Sequence, residues 1–166
     1  SLAVTGSEKT PKMILKLSEL LRYVIYGSRE KKVPLKRELD HIEIFIELFQ
    51  MKSENPLNIS FKINGQSDNL VIEPMILIPI VENCFKHTDF DTSEKAYVQI
   101  NADIQNMKLC FSTLNSKNMY DQQKDSTGGV GLKNIKKRLE LIYDGKFNMN
   151  ITNQASLFKL ELIILL

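Results

Sequence analysis

Residues 78–88 read IPIVENCFKHT, and the directions in which these side chains leave the backbone organise the rest of the reading. At 100° per residue, Pro79, Glu82, Asn83 and Lys86 fall within a stripe roughly 100° wide, while Leu77, Ile80, Val81, Cys84 and Phe85 take the other side. A helix over residues 74–88 is therefore expected to pack its apolar side on a sheet and hold a carboxylate, an amide and an ammonium outward. Two readings of that outer face are open. It is an ordinary solvated face with an i,i+4 Glu82–Lys86 pair, or Glu82 and Asn83 share a hydrated Mg²⁺. That ion favours hard oxygen ligands and usually keeps waters between protein and phosphate.

Upstream of this stretch the apolar period is helical twice. Ile14, Leu17, Leu21 and Val24 mark a helix over residues 10–26, with Thr10-Pro11 as cap and first turn and Gly27 as a stop. Leu39, Ile42, Phe45, Ile46 and Phe49 mark a second over residues 35–52. The basic connector GSREKKVP makes an antiparallel helical pair the expected arrangement. After Asn55-Pro56 the period drops to 2 through Leu57, Ile59, Phe61 and Ile63, with a turn at Asn64-Gly65. A short extended piece is expected at residues 70–72.

Downstream, residues 97–104 and 107–114 read as strands of a hairpin closed at Gln105-Asn106. Residues 115–129 are polar and aperiodic, and residues 130–143 are helical through Leu132, Ile135, Leu139 and Ile142. Two last strands are expected at 147–152 and 157–164. Antiparallel strands with inserted helices give an α+β fold: an α/β sandwich with one sheet covered by helices on one face, preceded by a helical segment.

Composition narrows the function without naming it. The chain has 166 residues, 43% of them hydrophobic and 25% charged, which suits one globular domain. A net charge of +2 gives no reason to expect nucleic-acid binding, which draws on a strong basic excess. Cys84 and Cys110 lie in apolar stretches without metal spacing and read as reduced core thiols. No run approaches the ~18 apolar residues of a membrane span. The opening SLAVTGSEKTP has no initiator methionine or signal peptide, so a longer protein is expected around it.

A second informative stretch is STGGVGLKN, residues 126–134. Glycines at 128, 129 and 131 directly before an amphipathic helix can bring bare backbone amides to a phosphate, although a helix entry often uses glycine for structural reasons alone. GK[ST] is missing, so it is no Walker loop, and it does not stand at a first βα turn as a dinucleotide fingerprint should.

Taken together, a helix bearing ENxxKH, a β-hairpin, a polar loop ending in GxGLxN, and a helix reading KKRLELIY resemble the GHKL (Bergerat-fold) ATPase domain of histidine kinases. LSELLRYVIYGS, VPLKRELDHIEIFIELFQMK, IEPMILIPIVENCFKHT and GGVGLKNIKKRLELIY follow, in order, the pattern of LytS/YehU-type sensor kinases. The resemblance covers nearly the whole chain. It implies that residues 1–34 end a dimerisation and phosphoacceptor region with its linker, and that residues 35–166 form the ATP-binding catalytic domain. It implies ATP and Mg²⁺ as ligands. Glu82 would polarise the attacking group, Asn83 would hold the Mg²⁺, and Lys86 and His87 would complete the N-box with Lys86 on phosphate. Gly129, Gly131, Leu132 and Asn134 belong to the glycine box, and residues 115–128 would be a lid over the nucleotide.

The sequence departs from the family in two places. Where most GHKL kinases carry the Asp of a DxGxG box, Thr113-Leu114-Asn115-Ser116 stands instead, so Asn115 would accept from the adenine amino group without charge assistance. The family's acceptor histidine lies in an NPHFLFN-like stretch, and neither His41 nor His87 has that context. His41, beside Asp40 and Glu43, is expected to be exposed. The phosphorylated histidine would then lie upstream, and this chain alone would bind ATP without autophosphorylating. The resemblance further implies a response regulator as partner, of the LytTR type, a homodimer in the full-length protein, and a cytoplasmic position reached through an N-terminal membrane region. The alternatives are a degenerate GHKL domain acting as a non-catalytic dimerisation and signalling module, which the missing DxGxG favours, and a chaperone- or topoisomerase-like GHKL ATPase, against which the leading helices and short lid argue.

Overall fold

The computed structural model describes residues 9–27, 30–117 and 129–166. Helix α1 (Lys9–Arg22) runs into a single π-helical turn, Tyr23–Gly27. Strand β1 (Val33–Pro34) and helix α2 (Leu35–Lys52) follow, then β2 (Ile59–Asn64), β3 (Val71–Ile72) and helix α3 (Ile78–His87). Strands β4 (Val98–Gln105) and β5 (Lys108–Ser116) form the hairpin, and α4 (Gly129–Ile142), β6 (Phe147–Asn153) and β7 (Leu157–Leu165) complete the chain.

Five strands form one sheet in the order β2-β4-β5-β7-β6. Only the β2–β4 pairing is parallel, and the other three are antiparallel. The period-2 alternation does the sorting. Ile100, Ala102, Phe111, Thr113, Leu160 and Leu162 point to one face, where register pairs Ala102 with Phe111 and Phe111 with Leu162. Leu39 and Ile42 of α2, Ile80, Val81 and Cys84 of α3, and Leu139 of α4 join them in one core. The opposite face is polar: Asn64 Nδ2 donates to Asp103 Oδ1 across neighbouring strands at 2.7 Å, and Lys159 pairs with Glu161. This is the expected α+β sandwich, covered by helices on one face.

The helical pair is antiparallel, since Lys16 of α1 pairs with Glu47 while Tyr23, later in the chain, bonds the earlier Glu38. Gly27 closes against the Tyr23 ring, where a Cβ would come within 2.6 Å of a ring carbon.

The row Ile14, Leu17, Leu21 and Val24, whose spacing suits a core face and an outward seam alike, is 40–58% exposed. Several expectations are corrected. His41 is buried, not exposed, because the Tyr23 ring packs on it at 4.4 Å between centroids. Helix α3 starts at Ile78 rather than at residue 74, since Met75 takes a positive φ of 60° that a right-handed helix cannot include. The hairpin turns one residue later than expected. Gln105 and Lys108 pair, and Asn106 and Met107 both have positive φ, the pattern of a type I′ turn. Asn115 and Ser116 belong to β5, not to a lid, and residues 118–128 of the expected lid lie outside the described residues. Cys110 is only half-buried, on the polar face of the sheet, while Cys84 is a core thiol, and both are free.

Candidate functional site

Helix α3 presents the two faces its spacing requires. Ile80, Val81, Cys84 and Phe85 are buried, Asn83 is half-buried, and Glu82 and Lys86 are exposed. Partial desolvation raises the Glu82 carboxyl above its ordinary value. His87, half-buried, ends the helix, and Thr88 Oγ1 donates to the Cys84 carbonyl at 2.7 Å. Asn83 and Glu82 put an amide oxygen and a carboxylate side by side, the hard donors that suit Mg²⁺. Among the described residues no three His, Cys, Asp or Glu side chains gather as a metal cage. A cation shared with phosphate needs only one or two protein ligands, so the pair fits that role.

Strand β5 lies under α3 and supplies the second element. Cys84 of α3 neighbours Thr113; burial pushes its thiol up to about 11, and the Thr113 hydroxyl pulls the other way. That contact falls short of ordinary hydrogen-bond geometry, and Thr113 Oγ1 has no partner among the described residues. Two residues on, Asn115 is 0% exposed, and its Nδ2 donates to the Ser116 carbonyl at 3.0 Å. Its Oδ1 is buried without a partner among the described residues. An unpaired buried acceptor costs about 1–3 kcal/mol, and this carbonyl oxygen has the capacity to accept one more hydrogen bond.

Helix α4 supplies the third. It opens at Gly129, so the amides of its first turn have no acceptor within the helix. A Cβ at Gly131 would meet nothing within 4 Å among the described residues. Leu132 is half-buried against the core, and Asn134 is exposed. Helix α3 packs against both β5 and α4. The fold thus brings the elements that carry the expected site residues together around α3.

The sequence reading missed what holds α3 in place. Glu38 of α2 is 1% exposed. Its Oε1 accepts from the Tyr23 hydroxyl and from the Met75 amide (2.8 Å), and its Oε2 accepts from the amides of Ile76 (3.2 Å) and Leu77 (3.0 Å). A carboxylate so placed satisfies three amides of the turn that leads into α3, and its charge lies toward the positive end of the helix dipole. From the other side, Arg138 of α4 donates to the Met75 carbonyl (3.3 Å), and the Glu73 amide donates to the Tyr143 hydroxyl (3.3 Å). Burial, followed by the neighbouring Glu38 charge, raises the Tyr23 hydroxyl pKa; burial and a hydrogen bond to Glu73 do the same for Tyr143. A signal for Glu38 was present: Leu35, Glu38, Leu39 and Ile42 follow i, i+3, i+4, i+7, which puts a charge inside the apolar stripe of α2.

Comparison with known proteins agrees with this fold. Residues 1–57 match the family model described as Histidine kinase. The sensor protein LytS of Staphylococcus epidermidis is 26% identical over 161 residues, covering 90% of this chain and 27% of that protein. LytS of Bacillus subtilis is 32% identical over 87 residues, covering 52% of this chain and 15% of that protein. This chain is similar to the sensor protein LytS over nine-tenths of its length. It spans about a quarter of the length of the curated relatives it matches.

The solved structures agree on the fold of this LytS-like chain. The catalytic domain of histidine kinase ThkA superposes with a TM-score of 0.51 at 18% identity, covering 80% of this chain and 93% of that one. The histidine kinase domain of the blue-light-activated kinase EL346 from Erythrobacter litoralis superposes with a TM-score of 0.56 at 15% identity, over 96% of this chain and 76% of that one. The architecture is that of histidine kinase catalytic domains.

Proposed function

We propose that residues 35–166 are the ATP-binding catalytic domain of a two-component sensor histidine kinase, and that residues 1–34 are the end of its dimerisation region and linker. The reaction is phosphoryl transfer from ATP to a histidine upstream of Ser1, followed by relay to an aspartate of a response regulator. ThkA has been solved in complex with the response regulator TrrA, and a regulator of the LytTR type is the partner we assign here. The full-length protein would be a homodimer held at the cytoplasmic side of a membrane by a region outside this chain. Among the described residues no helix is long and apolar enough to cross one.

The observation that carries this reading is the buried Oδ1 of Asn115, without a partner among the described residues, on β5, the strand that α3 packs against. It would accept from the adenine amino group and fix the base. Asn83 would hold Mg²⁺ against the phosphates, where the ion neutralises charge developing on the transferred group. Lys86 would contact a phosphate, with His87 at the helix end completing that wall. Glu82, its carboxyl pKa already raised by desolvation, would orient and polarise the attacking imidazole. The first-turn amides at Gly129 and Gly131, with Leu132 packed behind them and Asn134 beside them, would close on the phosphates. The work is positioning and charge compensation.

Calorimetric titration with Mg·ATP tests this. The wild-type chain is expected to bind, and Asn115→Ala to bind about tenfold more weakly, the loss of one buried hydrogen bond. Unchanged affinity in that variant removes Asn115 as the adenine reader. Incubation with γ-labelled ATP is expected to leave the chain unlabelled, because His41 is buried and His87 serves the nucleotide. The neutral Asn115 and the exposed apolar row of α1 favour a second reading, a non-catalytic dimerisation and signalling module, and absence of any ATP binding would select it.

A further inference from the structure

The segment 73–77 has no regular structure of its own, yet three side chains bond it directly and a fourth, Tyr23, bonds one of those three. Glu38 of α2 takes the amides of Met75, Ile76 and Leu77. Arg138, on the helix that follows the expected lid, takes the Met75 carbonyl, and Tyr143 just beyond that helix meets the Glu73 amide. Tyr23, in the π-helical turn that ends α1, donates to the same Glu38 carboxylate. Met75, at φ 60°, is in a region that a bulky side chain occupies only when its surroundings over-determine it. The Tyr23 ring is in turn fixed between His41 (4.4 Å between centroids) and the Arg37 guanidinium (5.0 Å to the ring centroid).

Each of these contacts is individually a structural detail. Their meeting point is not, because 73–77 is the segment that enters α3, and Glu82 and Asn83 follow its last residue by five and six positions. On the reading given above, we propose that Glu38 is a positioning residue for the nucleotide site. Through Tyr23 it ties the leading helix to the entrance of α3, so that a displacement of α1 shifts Glu82 and Asn83 relative to bound nucleotide. The tie is one hydroxyl–carboxylate hydrogen bond; it shares Oε1 with the Met75 amide, while Oε2 holds the Ile76 and Leu77 amides. Removing the hydroxyl therefore cuts the tie and leaves all three amide donors their acceptor.

Tyr23→Phe in the full 166-residue chain makes that cut while keeping the ring that packs on His41. Two quantities are read: the Mg·ATP dissociation constant, and the backbone amide resonances of residues 78–87 without nucleotide. The expected result is about three- to tenfold weaker binding, the range of couplings carried through packed networks, with displaced resonances at Glu82 and Asn83. Ile42→Val serves as a control that lowers stability by a comparable amount inside the core while keeping the Tyr23–Glu38 hydrogen bond; it is expected to keep wild-type affinity. Wild-type affinity and unmoved resonances in Tyr23→Phe would overturn the inference while leaving the nucleotide site standing. Equal weakening in Ile42→Val would also overturn it, since the effect would then be general softening. A wild-type chain that binds no Mg·ATP would overturn the functional reading and this inference together.

Discussion

His41 shows how far one side chain's behaviour depends on a partner distant in sequence. Beside Asp40 and Glu43 it looks like a surface residue, yet Tyr23 of the preceding helix covers it and its Nε2 has no partner among the described residues. Burial first, and the Arg37 charge second, lower its pKa from 6.5 to about 4. The unfolded chain therefore takes up a proton at pH values where the folded one does not, so stability is full above pH 6.5 and declines as pH falls toward 4. The decline from this residue alone is expected to reach roughly 3 kcal/mol. Urea unfolding at stepped pH checks this against His41→Phe, whose stability should fall less across the same window. Parallel curves for the two proteins would show that His41 does not carry the effect. Glu38 was hidden for the same reason as His41. Its three amide partners lie 37 to 39 positions away, and only its place in the apolar stripe of α2 hinted that it turns inward.

At the scale of elements, legibility followed locality. The two faces of α3 came out as the spacing 77–86 required, because the sheet beneath imposes one side and solvent the other. The range 35–52 for α2 was read to the residue. The entrance to α3 was not, since Met75 bends the chain there under contacts made by other elements, and no local pattern records them. The hairpin slipped by one position because Met107 has no turn chemistry of its own and still accepts a φ of 59° beside Asn106. Helix α1 is the instructive case: its regular apolar row fits a core face and an outward seam equally well, and the structure leaves Ile14 58%, Leu17 51% and Leu21 52% exposed. Leu17→Gln should accordingly change the stability of the dilute chain by less than about 0.5 kcal/mol. A core position would lose about 2–5 kcal/mol on comparable truncation. A large drop in the urea midpoint would return this row to the interior.

For the whole molecule, the sandwich architecture was recoverable because period-2 and period-3.6 segments alternate cleanly along the chain. The ENxxKH and GxGLxN stretches, which carry the expected site residues, lie on two elements that pack together, α3 and α4. How the leading helix communicates with that site was not recoverable, because it runs through one buried carboxylate. The sheet also separates two chemical environments, and the two cysteines sample one each. Cys110 is half-buried on the polar face; Cys84 is sealed between α3 and β5 with its thiol pushed up to about 11. A thiol reacts as the thiolate, so an alkylating agent should modify Cys110 in the native protein and reach Cys84 only when α3 lifts from the sheet. The chain thus contains its own opening clock: mass spectrometry should show one adduct formed promptly and a second whose rate reports transient separation of the layers. Nucleotide that bridges α3 and α4 should slow the second adduct and leave the first unchanged. Simultaneous labelling of both thiols would mean that the layers do not part as a unit.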